Sequence, residues 1–420
     1  MLVNLSGGAT SKVIAPAIQL FIVSQLSPSD YGLFLTSLAL IYFYELVKDF
    51  GLLDSIIAQR AFGGINTLFS IQTVSAFAFA LIIVTGSILA LDFGWIGNTE
   101  RNIIIIVCSS AFLMPFTDSI RTFYRLNGNY APVAISNIIH GVATGAVGLY
   151  CIYLNLDAYA LPIGFTAGHF VCAIYLRTGY QQRLTYQTSE FRTLFSLGKH
   201  VLAQRSSGFL VGHADTFIVR AALGPAVLGI YKLSQQIAYV IPNATIFFCN
   251  QVLFSELSTA ATGKNFSYIS RVYKLYCRFV GSAMLLLSIL IVTVSQSMLP
   301  YALNSQWQDL ATPLALISLG LPTGFMCLIN NDLAKTLGFS NRYTALLTVR
   351  SLITVSVLLI FAKEGLETLI VAAVITGIVA NIANETLFHC SQTSVRDIAG
   401  KLILYALSIA WFLITTMVIL

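Results

Sequence analysis

Thirteen stretches of about 20 mostly apolar residues, separated by short polar gaps, decide the solvent in which this chain can fold. Hydrocarbon cannot hydrogen-bond a free N–H or C=O, so each stretch is expected to close its own backbone bonds as an α-helix. The spans fall near 9–26, 31–58, 66–94, 102–124, 131–154 and 157–177, then 198–223, 226–255, 273–299, 311–337, 341–362 and 366–390, with a last one at 400–420. Of 420 residues, 57% are hydrophobic and 10% charged, against about 25% charged in ordinary soluble domains. The expected class is an all-α integral membrane protein of 12–13 transmembrane helices.

A repeat organises the spans. Leu26-Ser-Pro-Ser-Asp-Tyr-Gly-Leu-Phe34 returns as Leu223-Gly-Pro-Ala-Val-Leu-Gly-Ile-Tyr231, with Leu, Pro, Gly and the aromatic in register at an offset of 197. Six spans separate the two copies, and an even count puts both on one side of a membrane, as in parallel halves related by an axis along the membrane normal. The domain reading is a six-helix bundle over 1–178, a linker over 179–197, a second bundle over 198–390 and an additional helix within 391–420. Pro-Gly turns between membrane helices also arise by chance.

Basic residues set the orientation. With a cytoplasmic amino terminus, the inner connections hold fifteen Lys and Arg, among them Lys12, Arg60, Arg121, Arg125, Arg183 and Arg192. The outer ones hold only Arg101, Arg220 and Lys363. The net charge of +6 therefore reads as a topology signal and not as a nucleic-acid footprint. The first residues lack the basic start and small-residue cleavage pattern of a secretory signal, so the amino terminus is expected to be retained. Seven cysteines lie in apolar stretches without a CxxC pair and read as small buried hydrophobes.

Several classes are disfavoured. No G-x-x-x-x-G-K-[ST] phosphate loop supports an ATP-driven exporter in one chain, and no His-Glu-x-x-His supports a metalloprotease. A membrane glycosyltransferase or polymerase is expected to carry a sizeable outer loop, whereas the connections near 92–101 and 300–310 are short, with Asp92, Glu100 and Asp309 read as interface residues. No enzymatic activity, cofactor or metal is expected.

What remains is a set of ionisable residues inside spans, each costing a few kcal/mol unless it faces protein or water, and so each a functional candidate. Glu45, Lys48 and Asp49 share a helical face with Tyr42, and Lys48 is expected to neutralise one of those two carboxylates. Arg205, Lys232 and Arg350 have no acid three or four residues away, so a structural role for them needs a partner on another helix. Asp215 lies ten residues beyond Arg205, about 15 Å along the helix and off its face. Asn381, Glu385 and His389 form a stripe in the twelfth span. Asp54, Asp118, Glu256, Asp332 and Glu385, near inner ends, read as snorkelling or capping groups, and His140 and His169 as satisfied packing residues. Pro16, Pro115, Pro242 and Pro322 are expected to kink their helices.

Taken in order, these motifs resemble a known family. Pro16, the Leu-Ser-Pro-x-Asp-Tyr-Gly-x-Phe motif and Asp49-Phe-Gly-Leu-Leu53 look like the opening of Wzx-type polysaccharide-unit flippases; Asp215-Thr-Phe-Ile-Val219, the second motif copy, Ile241-Pro-Asn243 and the Gly338 to Arg342 turn are similar to their later landmarks. The resemblance implies the multidrug, oligosaccharidyl-lipid and polysaccharide exporter fold, with two six-helix bundles facing a central cavity. Members carry twelve or fourteen spans, so a thirteenth departs from the pattern. It further implies flipping of an undecaprenyl-diphosphate-linked oligosaccharide across a bacterial inner membrane for O-antigen, capsule or exopolysaccharide synthesis, with membrane lipids, a polymerase and a chain-length regulator as partners. Basic side chains in a wet cavity can replace part of the hydration of a diphosphate. Arg205, Lys232, Lys48 and Arg350 are the substrate-binding candidates, the first three because their helices line the cavity in that fold. Asp215 or Glu45 is the candidate for a coupling proton or sodium ion. A cation-coupled drug antiporter of the same fold is the alternative.

Overall fold

The computed structural model describes residues 19–262, 266–297, 305–325, 340–390 and 398–419, and among these the only regular elements are helices. Pro16, Asp332 and the Gly338 end of the family-like turn lie outside the described residues, as do the side chains of Glu256, Glu385 and His389. The chain divides into two compact units, Met1–Arg220 and Ala221–Leu420.

In the first unit the helices are α1 (Pro28–Val47), α2 (Leu52–Gln59), α3 (Gly64–Asp92), α4 (Asn98–Ser109), α5 (Met114–Leu126), α6 (Ala131–Tyr153) and α7 (Asp157–Thr178), followed by α8 (Phe191–Leu223), which lies in this unit up to Arg220. The first motif copy is the start of α1. Ser27 caps it by accepting the Asp30 N–H at 3.1 Å, Pro28 occupies the first turn where its missing N–H costs nothing, and Tyr31, Gly32 and Phe34 are buried. The second copy does the same work: Gly224, at φ +89°, ends α8, and Pro225 opens the next helix with Tyr231 buried.

Two expected spans are broken. The span at 31–58 stops at Val47, and α2 starts anew at Leu52 after Phe50 and Gly51 take left-handed φ of 50° and 79°. Asp49 drives the break, because its carboxylate accepts the N–H groups of Gly51 and Leu53, both at 3.2 Å, which a continuous helix would spend on carbonyls. Glycine at 51 is needed for space as well as for φ: a Cβ there would lie 2.2 Å from the Gly198 carbonyl oxygen of α8. The span at 102–124 is likewise split, by a 3₁₀ turn at Ser110–Phe112 and by Pro115 in the first turn of α5.

Helices α6 and α7 pack backbone to backbone. Gly164-x-x-x-Gly168 places two glycines against Thr144, where a Cβ at 164 would meet the Thr144 carbonyl at 2.5 Å. Of the linker expected over 179–197, the residues from Phe191 belong to α8, and the earlier part is docked: the Thr185 N–H donates to Asn66 Oδ1 at 3.1 Å and the Gln187 N–H to Ser70 Oγ at 2.8 Å, both at the start of α3.

The second unit holds α9 (Pro225–Thr262), α10 (Phe266–Ser297), α11 (Ala311–Ser318), α12 (Ser340–Phe361), α13 (Leu366–Cys390) and α14 (Ile398–Ile419). Its buried core includes Trp307 and, in and just after α11, Leu314, Leu316 and Leu319. The last helix is packed onto α10, where the Trp411 indole N–H donates to Ser288 Oγ at 3.2 Å. By length and apolarity alone, seven helices among the described residues suit a membrane crossing. Side chains confirm the solvent: Val74, Leu81 and Ile82 of α3 face outward while Thr67, Ser70 and Gln72 of the same helix are buried. That inversion of a soluble helix is what lipid requires.

Candidate functional site

In the first unit a cavity of about 430 Å³ is lined by Tyr42, Glu45, Lys48, Asp49, Asp54, Asp118, Arg125, Arg205, Phe209 and His213. Its construction follows from the two broken spans. Lys48, still helical at the C-cap of α1, points toward α5, where the restart after Ser110–Phe112 presents Asp118 one turn in. Lys48 Nζ lies 2.6 Å from Asp118 Oδ2, with side chains 10% and 13% exposed, so this pair is desolvated. Gln72 donates weakly to the same oxygen at 3.5 Å.

A second network crosses from α8. Arg205 Nη1 lies 3.2 Å from Asp49 Oδ1 and Nη2 lies 2.7 Å from Asp54 Oδ2, so the guanidinium bridges the carboxylates on either side of the helix break. Asp49 is fully buried and therefore holds three partners at once: Arg205 and two backbone N–H groups. Aromatic rings close one wall, with His213 4.6 Å from the Tyr42 ring and 5.1 Å from that of Phe209. Glu45, one turn before Lys48, makes no ion pair or hydrogen bond among the described residues. Four carboxylates stand against three cations in the lining, leaving one formal negative charge.

The expected pairings change accordingly. Lys48 is neutralised by Asp118 on another helix, not by Glu45 or Asp49. Asp118 and Asp54 are ion-pair members and not snorkelling groups. Arg205 has its acid partners after all, on the α1–α2 turn. Glu100 is buried and accepts both its bonds from Arg220 Nη2 at 2.7 Å, so neither is a simple interface charge. His140 and His169 stack edge to face at 4.4 Å, but His140 Nε2 has no partner among the described residues.

The six candidates do not converge on one cavity. Lys48, Arg205 and Glu45 line that of the first unit; Arg350 lines one in the second unit; Asp215 and Lys232 line neither. Asp215 is buried beside Thr216, and Lys232 lies with Nζ 5.5 Å from the Tyr231 ring centre. Among the described residues no cluster of His, Cys, Asp and Glu has the arrangement to hold a metal ion.

Known proteins share this architecture. A family model described as polysaccharide biosynthesis protein matches residues 25–312, more than half of the chain. No curated protein matches the sequence. Among solved structures, an inward-facing multidrug-resistance MATE transporter of the MOP superfamily is similar with a TM-score of 0.70 at 15% identity, over 95% of this chain and 99% of that one. The lipid II flippase MurJ, in an inward closed conformation, gives 0.70 at 14% identity over 99% of this chain and 98% of that one. The Vibrio cholerae MATE transporter VcmN gives 0.64 at 15% identity, over 95% and 96%.

Proposed function

From the chain's place in the polysaccharide biosynthesis protein family and its MOP-type helical fold, we propose that it flips an undecaprenyl-diphosphate-linked oligosaccharide repeat unit across a bacterial inner membrane by ion-coupled alternating access. The match over residues 25–312 carries this reading, because the fold by itself also serves drug transport. The chemistry is transport without bond making or breaking.

The first-unit cavity supports it. A diphosphate entering the cavity competes with Asp49 and Asp54 for the Arg205 fork and with Asp118 for Lys48. With Glu45 ionised the empty lining is net negative and repels an anion; a proton on Glu45 removes that excess. Loading of an anionic head group and uptake of a cation are thereby linked, with Glu45 as one coupling group. Asp215 and Lys232 keep their proposed roles in ion coupling and substrate contact through positions outside this cavity.

One observation favours a second reading, a cation-coupled drug antiporter: the same excess of carboxylates, beside Tyr42 and Phe209, suits a cationic aromatic compound. Expression in a flippase-null strain separates the two. Restored surface polysaccharide, normalised to protein in the membrane fraction, is the expected result; no polymer together with raised drug resistance overturns the flippase reading.

A further inference from the structure

In the first unit, helices α6 and α7 bring two imidazoles together. His140 of α6 and His169 of α7 have ring centres 4.4 Å apart at 71°, and Phe165 joins them at 5.6 and 4.7 Å. The contact is built into the backbone: Gly168 lies so close to α6 that a Cβ there would overlap Thr144 Oγ1 and stand 2.8 Å from the His140 carbonyl oxygen. Packing alone needs no nitrogen at these positions, since phenylalanine fills the same space without the cost of a polar group in the membrane.

The ring nitrogens are uncommitted. Among the described residues neither imidazole makes a hydrogen bond, and His140 Nε2 is fully buried, as is the equally unpartnered Thr144 Oγ1 one turn along α6. Buried polar atoms left so are rare. No third ligand joins the two rings to make a metal site among the described residues. Arg121 of α5, three residues after Asp118, ties the pair to the charged cavity. Its Nε donates to Ser136 Oγ at 3.3 Å and its Nη2 to Cys172 Sγ at 3.2 Å, and these acceptors stand one turn from His140 and His169 respectively. The charged groups acting on the pair among the described residues are Arg121 and Asp118 of α5 and Lys48 at the end of α1, with Cys172 the remaining titratable neighbour. Asp118 attracts a proton there; Lys48 and Arg121 repel it.

We propose that His140 and His169 are a proton-binding site of the transporter, holding one proton between them and taking it up when a diphosphate draws Lys48 from Asp118. The pair takes one proton and not two, because a second would meet the first at ring contact. Once Lys48 leaves, Asp118 pulls more strongly on a proton at the pair, and that proton replaces the positive charge Asp118 has lost. The linkage is reciprocal: a protonated pair weakens the hold of Asp118 on Lys48 and readies Lys48 for the anion. The proton comes from the aqueous phase and returns to it, so only N–H bonds form and break. The diphosphate in this scheme rests on the flippase reading; the proton site does not.

The test uses the full-length protein in detergent micelles, its five histidines isotope-labelled and their protonation followed by NMR across about pH 5–8. His140→Phe and His169→Phe keep a ring in place and assign the signals, with Gln at either position as a second set in case the larger ring upsets packing. In the wild type the two imidazoles are expected to titrate as one unit, and Phe at either position to displace the titration of the other by about one pH unit or more. Sodium diphosphate is expected to move the pair's titration in the wild type and not in the double variant Lys48→Met, Asp118→Leu; no shift in the wild type, or an equal shift in both, overturns the link to Lys48. In the flippase-null strain each Phe variant is expected at normal abundance with polymer lowered by about five- to 150-fold, the span of an ordinary coupling between two ligands, and the double Phe variant no lower than the singles. Rings that stay neutral across this range, rings that titrate independently, or full polymer from the double Phe variant overturn the proton site. A wild type that complements while both rings stay neutral loses only the proton site, and one whose rings titrate as a pair but that restores no polymer loses only the flippase reading.

Discussion

Replacing Lys48 by Ala strands Asp118, and the structure sets the size of the penalty. Both side chains are nearly buried, their contact is 2.6 Å, and the only other donor to that Asp118 oxygen among the described residues is the Gln72 amide at a marginal 3.5 Å. Removing one member of such a pair costs about 3–5 kcal/mol, chiefly because the other charge is left desolvated. For a unit of 220 residues, where 1 kcal/mol moves the midpoint by ~2–4 °C, the expected fall in thermal midpoint is on the order of 10 °C. The double variant Lys48→Met, Asp118→Leu removes both charges and fills similar volume, so it is expected to recover most of that fall. Transport separates the roles, since an apolar pair restores stability but cannot attract a diphosphate. The assay is fluorescence-detected size exclusion of heated, detergent-solubilised protein, run beside surface polysaccharide in the null strain. A single variant within ~2 °C of wild type, or a double variant as labile as the singles, would falsify the buried-pair argument.

Arg205→Ala is expected to cost less, about 1–3 kcal/mol, because Arg205 is 31% exposed and Asp49 retains two backbone donors; Arg205→Lys keeps part of the transport but reaches one carboxylate in place of two, and a midpoint loss exceeding that of Lys48→Ala would reverse this ranking. Glu45→Gln is expected to leave abundance near normal and to weaken the dependence of transport on the ion gradient, so undiminished gradient dependence of this variant in proteoliposomes rules Glu45 out as a coupling group. Gly51→Ala combines a left-handed φ of 79° with a Cβ that would overlap the Gly198 carbonyl oxygen, and membrane abundance is expected to drop severely; normal levels would show that the α1–α2 turn and α8 do not touch. Single cysteines at Ser29 and Pro225, in a background without the native cysteines, are expected to react with an impermeant reagent from outside while one at Ser189 does not, and opposite labelling at the first two positions ends the parallel-halves reading.

Helix identity and the helix starts at Pro28 and Pro225 were legible because apolar run length and Pro-Gly punctuation are local properties. The break at Lys48 to Gly51 was not, although its parts were in view: an Asp two residues before a Gly is a turn signal, but the apolar residues on either side of it read as one span. Charge pairing was the least legible feature. Lys48–Asp118 spans 70 residues, Arg220–Glu100 spans 120 and Arg205–Asp49 spans 156, while one sequence exposes only neighbours within a helical turn. The candidates Lys48, Arg205 and Glu45 were found because intramembrane charge is costly wherever it occurs. His140 and His169 read as packing residues; their contact depends on Gly168 letting α6 and α7 approach, a closeness that no periodicity reports.

Helix α8 opens the second half expected from sequence, yet up to Arg220 it is fastened within the first unit, by the Gly51–Gly198 backbone contact, by Arg205 and by Arg220 on Glu100. The stretch expected as the first half and the stretch that assembles as a compact unit therefore differ by one helix. During synthesis, the first unit cannot finish packing when its sixth span has been inserted; it waits until Arg220 has left the ribosome and entered the bilayer. Severing the chain in the docked segment 179–190 removes a structural helix from one fragment and hands it to the other. Severing it at Gly224 leaves every one of these ties within a single piece, so two separately expressed fragments meeting there are the pair expected to reconstitute a working protein.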